Sequence, residues 1–533
     1  MALCDVSRTV STVTDPALKR RAFLGMAAAG TAAVVLPLPR HGGGRHRGGV
    51  AVSSAAPTPA DWTALAHDLS GTLVRPSDSN YTVARRLFDP RFDSISPAGI
   101  AYCKNAHDIA TCLAFVRKFA LKVAARCGGH SYAGYSTTTG LVIDVTSMAG
   151  TTVSGATVTV GAGTRLIDFY HDLAAHGRAV PGGSCPTVGI SGLTLGGGIG
   201  VVGRAYGLTC DKLESLQIVT ADGALLTCNA TEHSDLYWAC RGGGGGNFGV
   251  VTSFTFRTRP APDVVLFFLS WPWSQAAKVI AAWQSWAPTA PDAMWSNLHL
   301  SAVPGGSVPT IQVGGCYLGS VTGAANLLNE LYAKVGSHPS SSFLNQFSYL
   351  NAMLLEAGCS TIGYTGCHLP WEFPGGRLNR QPQYSKSDFF TKPLTSAGIT
   401  TLVHGVENLL KVAGASGGVG GVAFDALGGA VNRVAPAATA FVHRDALFDA
   451  QYTTDWNYGA NSGAVARQAA WLSSFWTSMR PYASGQAYQN YIDPTLPNWQ
   501  QAYYGANYTR LTQVKKTYDP TRVFDFAQAI PPA

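Results

Sequence analysis

Apolar residues recur at Ile109, Cys112, Leu113, Val116 and Phe119, the spacing of one face of a helix, and this pattern predicts an amphipathic helix there. Short β-type runs surround it: Leu121 to Ala125, Leu141-Val142-Ile143 and the alternation from Thr157 to Val160. Leu166, Phe169, Tyr170 and Leu173 predict a second helix, stopped by Gly177. From residue 95 to about 258 the chain thus reads as α+β, with glycine-dense loops between its elements. Beyond Pro260-Ala261-Pro262 the pattern changes. Ten of the twelve tryptophans lie from Trp271 to Trp499, and long glycine runs become rarer. A separate domain with an aromatic-lined cleft is the natural reading; the plain alternative is that most of these tryptophans are core and rim residues.

Composition adds scale. With 533 residues, 46% hydrophobic and 13% charged, the chain is a large soluble protein of two or three units. A net charge of +8 invites a nucleic-acid reading, so its location matters. Residues 1–60 hold seven basic and two acidic residues, which leaves 31 basic against 28 acidic in the rest and no basic stripe to bind phosphates. The front reads as an address: Arg20-Arg21 stands directly before the apolar stretch Ala22 to Leu38, with the small residues Ala55 and Ala56 further on. This predicts a twin-arginine export signal and linker over 1–56, hence a secreted protein. A membrane anchor is the competing reading, but the stretch is shorter than the ~20 apolar residues of a span and is diluted by Gly25, Gly30 and Pro37. No stable membrane insertion is expected.

Eleven cysteines include no C-x-x-C set of metal spacing, so no metal site is expected. His41 and His46, in a Gly/Arg-rich linker, read as solvated. Cys359 and Cys367, which flank a glycine-bearing loop, are the disulfide pair that the spacing favours.

Three glycine clusters carry candidate chemistry. In Arg126-Cys127-Gly128-Gly129-His130-Ser131-Tyr132-Ala133-Gly134 the glycines permit close backbone approach to a ligand, and His130 offers an imidazole; a hydrogen-bonded turn histidine is the alternative. In Pro181-Gly182-Gly183-Ser184-Cys185-Pro186-Thr187-Val188-Gly189, followed by Gly192, Gly196 and Gly197, Cys185 sits on a rigid turn where its thiolate could attack an electrophile. The alternatives are a small buried hydrophobe and a disulfide half. Gly198-Ile199-Gly200-Val201-Val202-Gly203 matches the dinucleotide fingerprint, but glycines rather than a strand precede it, so a Rossmann unit is not expected. The third run leads from Arg241 through five glycines to Asn247-Phe248-Gly249-Val250. Together the clusters suit a nucleotide-binding region.

Their order, with Tyr206-Gly207-Leu208 and Asp211 between them, resembles the berberine bridge enzyme-like flavoproteins of the vanillyl-alcohol oxidase superfamily. Tyr488-Gln489-Asn490-Tyr491-Ile492-Asp493, the run Tyr503 to Leu511, Lys515, Tyr518-Asp519-Pro520 and Phe524 resemble that family's terminal signature. The likeness covers most of the chain after residue 80 and is weakest between about 260 and 420. It implies a two-part FAD-binding domain of the p-cresol methylhydroxylase type, over 57–260 and completed by 481–533 with Tyr504 and Asn507. A substrate domain over 261–480 would carry an antiparallel sheet flanked by helices. It further implies FAD joined covalently to His130 and Cys185, in a cradle including Arg126, Cys127, Gly128, Gly129, Ser131, Gly134, Val188, Gly189, Gly192, Gly196, Gly197, Gly249 and Val250. Two departures stand out. Leu193 replaces a histidine common in plant members, and near Gly428-Gly429, where some plant members place a glutamate base, this chain has Asn432 and Arg433.

That absence turns attention to Tyr491, which matches the catalytic tyrosine of bacterial relatives, assisted by Tyr132; a phenol serves as base when its pKa falls from about 10 toward the working pH. A buried tyrosine with a satisfied hydroxyl is the alternative for each. The resulting expectation is an FAD-dependent oxidase acting on a sugar or aromatic metabolite, with O2 as acceptor. A dehydrogenase with another acceptor and an inactive carbohydrate-binding relative are the rivals.

Overall fold

The alternation seen in the sequence becomes two linked sheets in the computed structural model, which describes residues 55–413 and 417–533. Arg20, Arg21 and almost all of the expected export segment lie outside the described residues. Ala106–Phe119 is a helix because Asn105 Oδ1 accepts from the Asp108 amide (2.9 Å) at its start, while Ala120 turns left-handed at its end. Its apolar stripe, Ile109, Cys112, Leu113 and Val116, is buried. Leu166–Ala174 forms the second expected helix.

A four-stranded sheet runs in the order Thr72–Val74, Gly99–Tyr102, Leu141–Asp144, Val123–Arg126; the last three strands are parallel. A five-stranded antiparallel sheet follows, in the order Thr151–Ser154, Thr157–Gly161, Val250–Arg257, Leu213–Val219, Leu225–Asn229. The second region is a seven-stranded antiparallel sheet: Ser341–Phe347, Val264–Trp271, Thr310–Tyr317, Met294–Ala302, Gly420–Ala426, Phe448–Asp455, Gln383–Phe390. Helices Ala276–Trp286, Ser396–Leu410 and Ser462–Met479 pack on one of its faces. The other face therefore looks toward the first region, and Gln451 reaches across to Tyr132. This is the α+β architecture that the resemblance implied. No described helix is long and apolar enough to cross a membrane.

The tryptophans settle differently from the cleft reading. Trp271, Trp283, Trp286, Trp295, Trp456, Trp471 and Trp476 are buried. Trp283 Nε1 donates to Ser296 Oγ (3.0 Å), from helix to sheet, and Trp471 Nε1 to the Gly405 carbonyl (2.8 Å), from one helix to another, which makes them packing pins rather than a binding surface. The disulfide Cys359–Cys367 is present as the spacing suggested.

Buried cations join the parts. Arg204 is 2% exposed and donates to the carbonyls of Met294, Pro288, Ala290 and Leu427. Arg444 pairs with Asp211 through two bonds of 2.8 and 2.9 Å. Lys515, on the helix Tyr508–Tyr518, is fully buried and donates to Asp519 Oδ2 (2.6 Å), the Phe524 carbonyl (2.9 Å) and the Asn247 carbonyl (2.6 Å). It thereby clamps the C-terminal segment onto the end of the third glycine run. Removing one partner of a buried pair leaves the other uncompensated, so Lys515→Met should cost about 3–5 kcal/mol. Guanidinium denaturation should show this loss, and the exposed neighbour variant Lys516→Met should leave the midpoint in place.

Candidate active site

Two loops meet backbone to backbone. Gly128 and Gly189 are in such close contact that a Cβ on Gly189 would overlap Cys127 Sγ and the Gly128 amide, and one on Gly128 would overlap the Gly189 amide. His130 Nε2 hydrogen-bonds Thr187 Oγ1 at 2.8 Å, which closes the same junction. The strand Val123–Arg126 delivers the first loop, and Gly189 is the residue before the short helix Ile190–Leu195. The sequence needs glycine at both positions because the chains touch there.

The junction walls a cavity with about 1500 Å³ of empty space, open solvent at its mouth included. His130, Cys185, Tyr132 and Tyr491 all line it, with Arg126, Cys127, Gly128, Gly129, Ser131, Val188, Gly189, Gly192, Gly249, Val250 and Tyr504. Four residues of the expected cradle stand outside this wall. The space a Cβ would take at Gly134 belongs to the Phe92 ring, at Gly196 to the Asn490 amide and at Gly197 to the Phe441 ring. Asn507 donates to the carbonyls of Pro436 (2.8 Å) and Thr439 (3.1 Å), so it braces the neighbouring segment.

FAD fits the residues present. A Cβ at Gly192 would stand in open space, and Gly192 faces the cavity. Tyr135 Oη, Gln489 Oε1 and Gln528 Oε1 are buried in its lining without a partner among the described residues, so they are polar atoms that a polar ligand can satisfy. Tyr135 and Phe526 form an aromatic pair in the wall at 4.8 Å. Tyr135, Phe526 and Gln528 were not read from the sequence, since none stands in a glycine cluster.

His130 is pushed down to about 3 by loss of solvent and by the nearby Arg165 guanidinium, so its imidazole is neutral. Cys185 is buried at the wall. Tyr491 stacks on Tyr132 (5.9 Å, 13°) and stands edge-on to Tyr488 (4.9 Å). Gln451 Nε2 donates to Tyr132 Oη at 2.8 Å. Tyr488 Oη accepts from the Gly198 amide (2.8 Å) and Asn490 Nδ2 (2.9 Å), and burial pushes its pKa up, so Tyr488 stays protonated. Gln451 is a further residue that sequence reasoning missed; its only signal is its place on a strand, in register with partners on neighbouring strands. Strand alternation puts Asp449 on the same face, register sets Asp425 opposite Asp449, and Asn297 opposite Asp425. Together these four form a buried polar ladder on the face of the sheet from which Gln451 reaches Tyr132.

Comparison with known proteins agrees with this geometry. Residues 97–229 match a family model described as an FAD binding domain, and residues 487–531 match one described as berberine and berberine like. The uncharacterized FAD-linked oxidoreductase YgaK of Bacillus subtilis is 36% identical, over 87% of this chain and 97% of its own. The xylooligosaccharide oxidase of Thermothelomyces thermophilus is 29% identical, over 91% and 97% of the two chains. Among solved structures, Physcomitrella patens BBE-like 1 superposes with a TM-score of 0.79 at 29% identity, over 89% of this chain and 99% of that one.

The ladder carries a pH signature. Glu356 is buried, its Oε1 lacks a partner among the described residues, and burial with the nearby Asp425 pushes its pKa up to about 8. Between its ordinary value and about 8 the folded protein holds a proton that the unfolded chain has lost. Stability therefore falls as pH rises through that window, by on the order of 1 kcal/mol per pH unit from this group. Denaturation series at several pH values should show Glu356→Gln with a flatter decline than wild type; equal slopes would contradict the assignment.

Proposed function

The chain belongs to the berberine bridge enzyme-like FAD-linked oxidoreductases, and from this we propose that it is a secreted oxidase whose FAD is bonded to both His130 and Cys185. The observation that carries the reading is the convergence of these two residues on one cavity, from loops locked together at Gly128 and Gly189. A neutral imidazole has the lone pair that bond formation needs, and a thiolate from Cys185 is the second nucleophile. When bound, FAD supplies a two-electron hydride acceptor that O2 can reoxidise with release of H2O2. The Arg20-Arg21 pair before an apolar stretch supports export by the twin-arginine route, which carries folded proteins and so lets the cofactor be loaded first.

Tyr491 takes the proton of the substrate hydroxyl. Its ring is fixed between Tyr132 and Tyr488, and the Gln451 amide holds Tyr132 in place. Protonated Tyr488 is spent as an acceptor for backbone and amide donors, which leaves Tyr491 as the base. The sheet face behind Tyr132 is polar, carrying Gln451, Asp449, Asp425 and Asn297, which favours a sugar alcohol or hemiacetal over an apolar aglycone. Sugar-oxidising relatives, such as the xylooligosaccharide oxidase, support the same choice.

With a panel of mono- and oligosaccharides the protein should consume O2 and release H2O2, and Tyr491→Phe should stay yellow while flavin reduction slows by about 10²–10⁴. Reduction that proceeds with dyes but not with O2 would make it a dehydrogenase, and an unchanged rate in Tyr491→Phe would place the base elsewhere. Acid denaturation and digestion should yield one flavin joined to peptides containing His130 and Cys185. His130→Ala and Cys185→Ala should each retain flavin through the other bond, and only the double variant should release it all. Free FAD from the acid-treated wild type would refute the bicovalent attachment.

A further inference from the structure

Behind the His130 loop lies a second cavity with about 1290 Å³ of empty space, open solvent at its mouth included, separated from the first by the backbone of Cys127, Gly128 and Gly129. Its wall contains Arg126, Asp144, Arg165, Glu372, Arg86 and Trp371. Arg126 touches both cavities, but its side chain belongs to this one. It pairs through Nε with Asp144 and stands over the Tyr102 ring at 6.0 Å, and both partners line only the second cavity. Arg126 is 5% exposed, and its Nη1 is buried with no hydrogen-bond partner among the described residues.

The charges show what is left over. Asp144 is occupied by Arg126, the Thr146 amide (2.8 Å) and Thr146 Oγ1. Glu372 takes Arg165 Nη2 at 2.6 Å. Asp168, also in the wall, accepts from Tyr364 Oη (2.6 Å) and pairs with His368 Nε2 (3.0 Å). Every carboxylate here is committed. On the cationic side, Arg126 Nη1 is unused, and Arg86 lies over the Trp371 ring at 5.7 Å without a carboxylate partner among the described residues. A buried guanidinium N–H without an acceptor is costly, and a charge-assisted bond to an oxyanion is its strong remedy.

We propose that this cavity is a binding site, distinct from the cofactor cavity, for a small organic oxyanion. Its carboxylate or phosphate engages Arg126 Nη1 and Arg86, and its body lies against Trp371 and Phe88. The site touches the cofactor side through one ring: Phe88 stacks on His130 (4.1 Å, 19°), and the Phe88 amide donates to the Gly129 carbonyl (3.2 Å).

Calorimetric titration of the yellow holoprotein with benzoate and with inorganic phosphate tests this. Saturable binding with Kd of about 1 mM or tighter is expected for at least one of them. Preference for benzoate would assign the aromatic wall a role, and preference for phosphate would assign the site to bare or phosphorylated anions. Arg86→Ala, at the rim and safe for folding, and Arg126→Lys should each weaken binding by about tenfold or more. In crystals soaked with para-iodobenzoate the iodine should appear beside Trp371. Absence of saturable binding for both probes, undiminished binding in Arg86→Ala, or iodine in the cofactor cavity instead would overturn the proposal.

Discussion

The contact between Gly128 and Gly189 is the constraint on which the rest of the site depends. Two loops that start from different elements must touch through their backbones before His130 and Cys185 can face one cavity. Any side chain at either glycine would hold the loops apart by the width of a methyl group, and a well-packed interior absorbs such an insertion only by moving backbone. The hydrogen bond from the His130 ring to Thr187 then fixes the ring relative to the second loop. Glycine density here is therefore a packing requirement first and a ligand requirement second.

Around that junction, buried cations hold the remaining walls in register. Lys515 ties the terminal helix to the Asn247 carbonyl, and Arg204 binds carbonyls on the segment leading into the strand Met294–Ala302 and just past the strand Gly420–Ala426. Such groups add little net stability compared with an apolar core of equal volume, because their desolvation is large. Their value lies in direction: a guanidinium or ammonium ion that must find three or four acceptors accepts only one arrangement of the elements that supply them. The cavity needs that selectivity, since its lining comes from the His130 and Cys185 loops, the third glycine run and the terminal segment.

How much of this was legible in the sequence follows from the range of each interaction. The helices Ala106–Phe119 and Leu166–Ala174 announce themselves through local spacing, and the Cys359–Cys367 bridge through a short loop. His130 and Cys185 were visible because glycines flank them. Gln451 was not, because its partner Tyr132 is 319 residues away and only the register of the sheet brings them together. The tryptophans misled for a related reason. Their number suggested a binding surface, yet most are buried, and the indole N–H groups of Trp283, Trp471 and Trp476 found partners among the packed helices and sheet. Gly196 and Gly197 looked like cofactor glycines but accommodate Asn490 and Phe441, residues whose approach no local pattern records.

The electrostatics of the His130 loop join these strands of argument. Arg165 lowers the basicity of His130, and on its own a buried guanidinium there would be expensive. Glu372 balances the charge, from a segment just beyond the Cys359–Cys367 bridge. The region of the seven-stranded sheet thus reaches back to neutralise a cation of the first region, and the imidazole remains neutral without an isolated charge behind it. Phe88 completes the enclosure by stacking on the ring. A histidine held neutral by burial, backed by a paired cation and clamped between a phenyl ring and a threonine hydroxyl, has lost its usual role as a proton switch and retains its lone pair as its reactive feature.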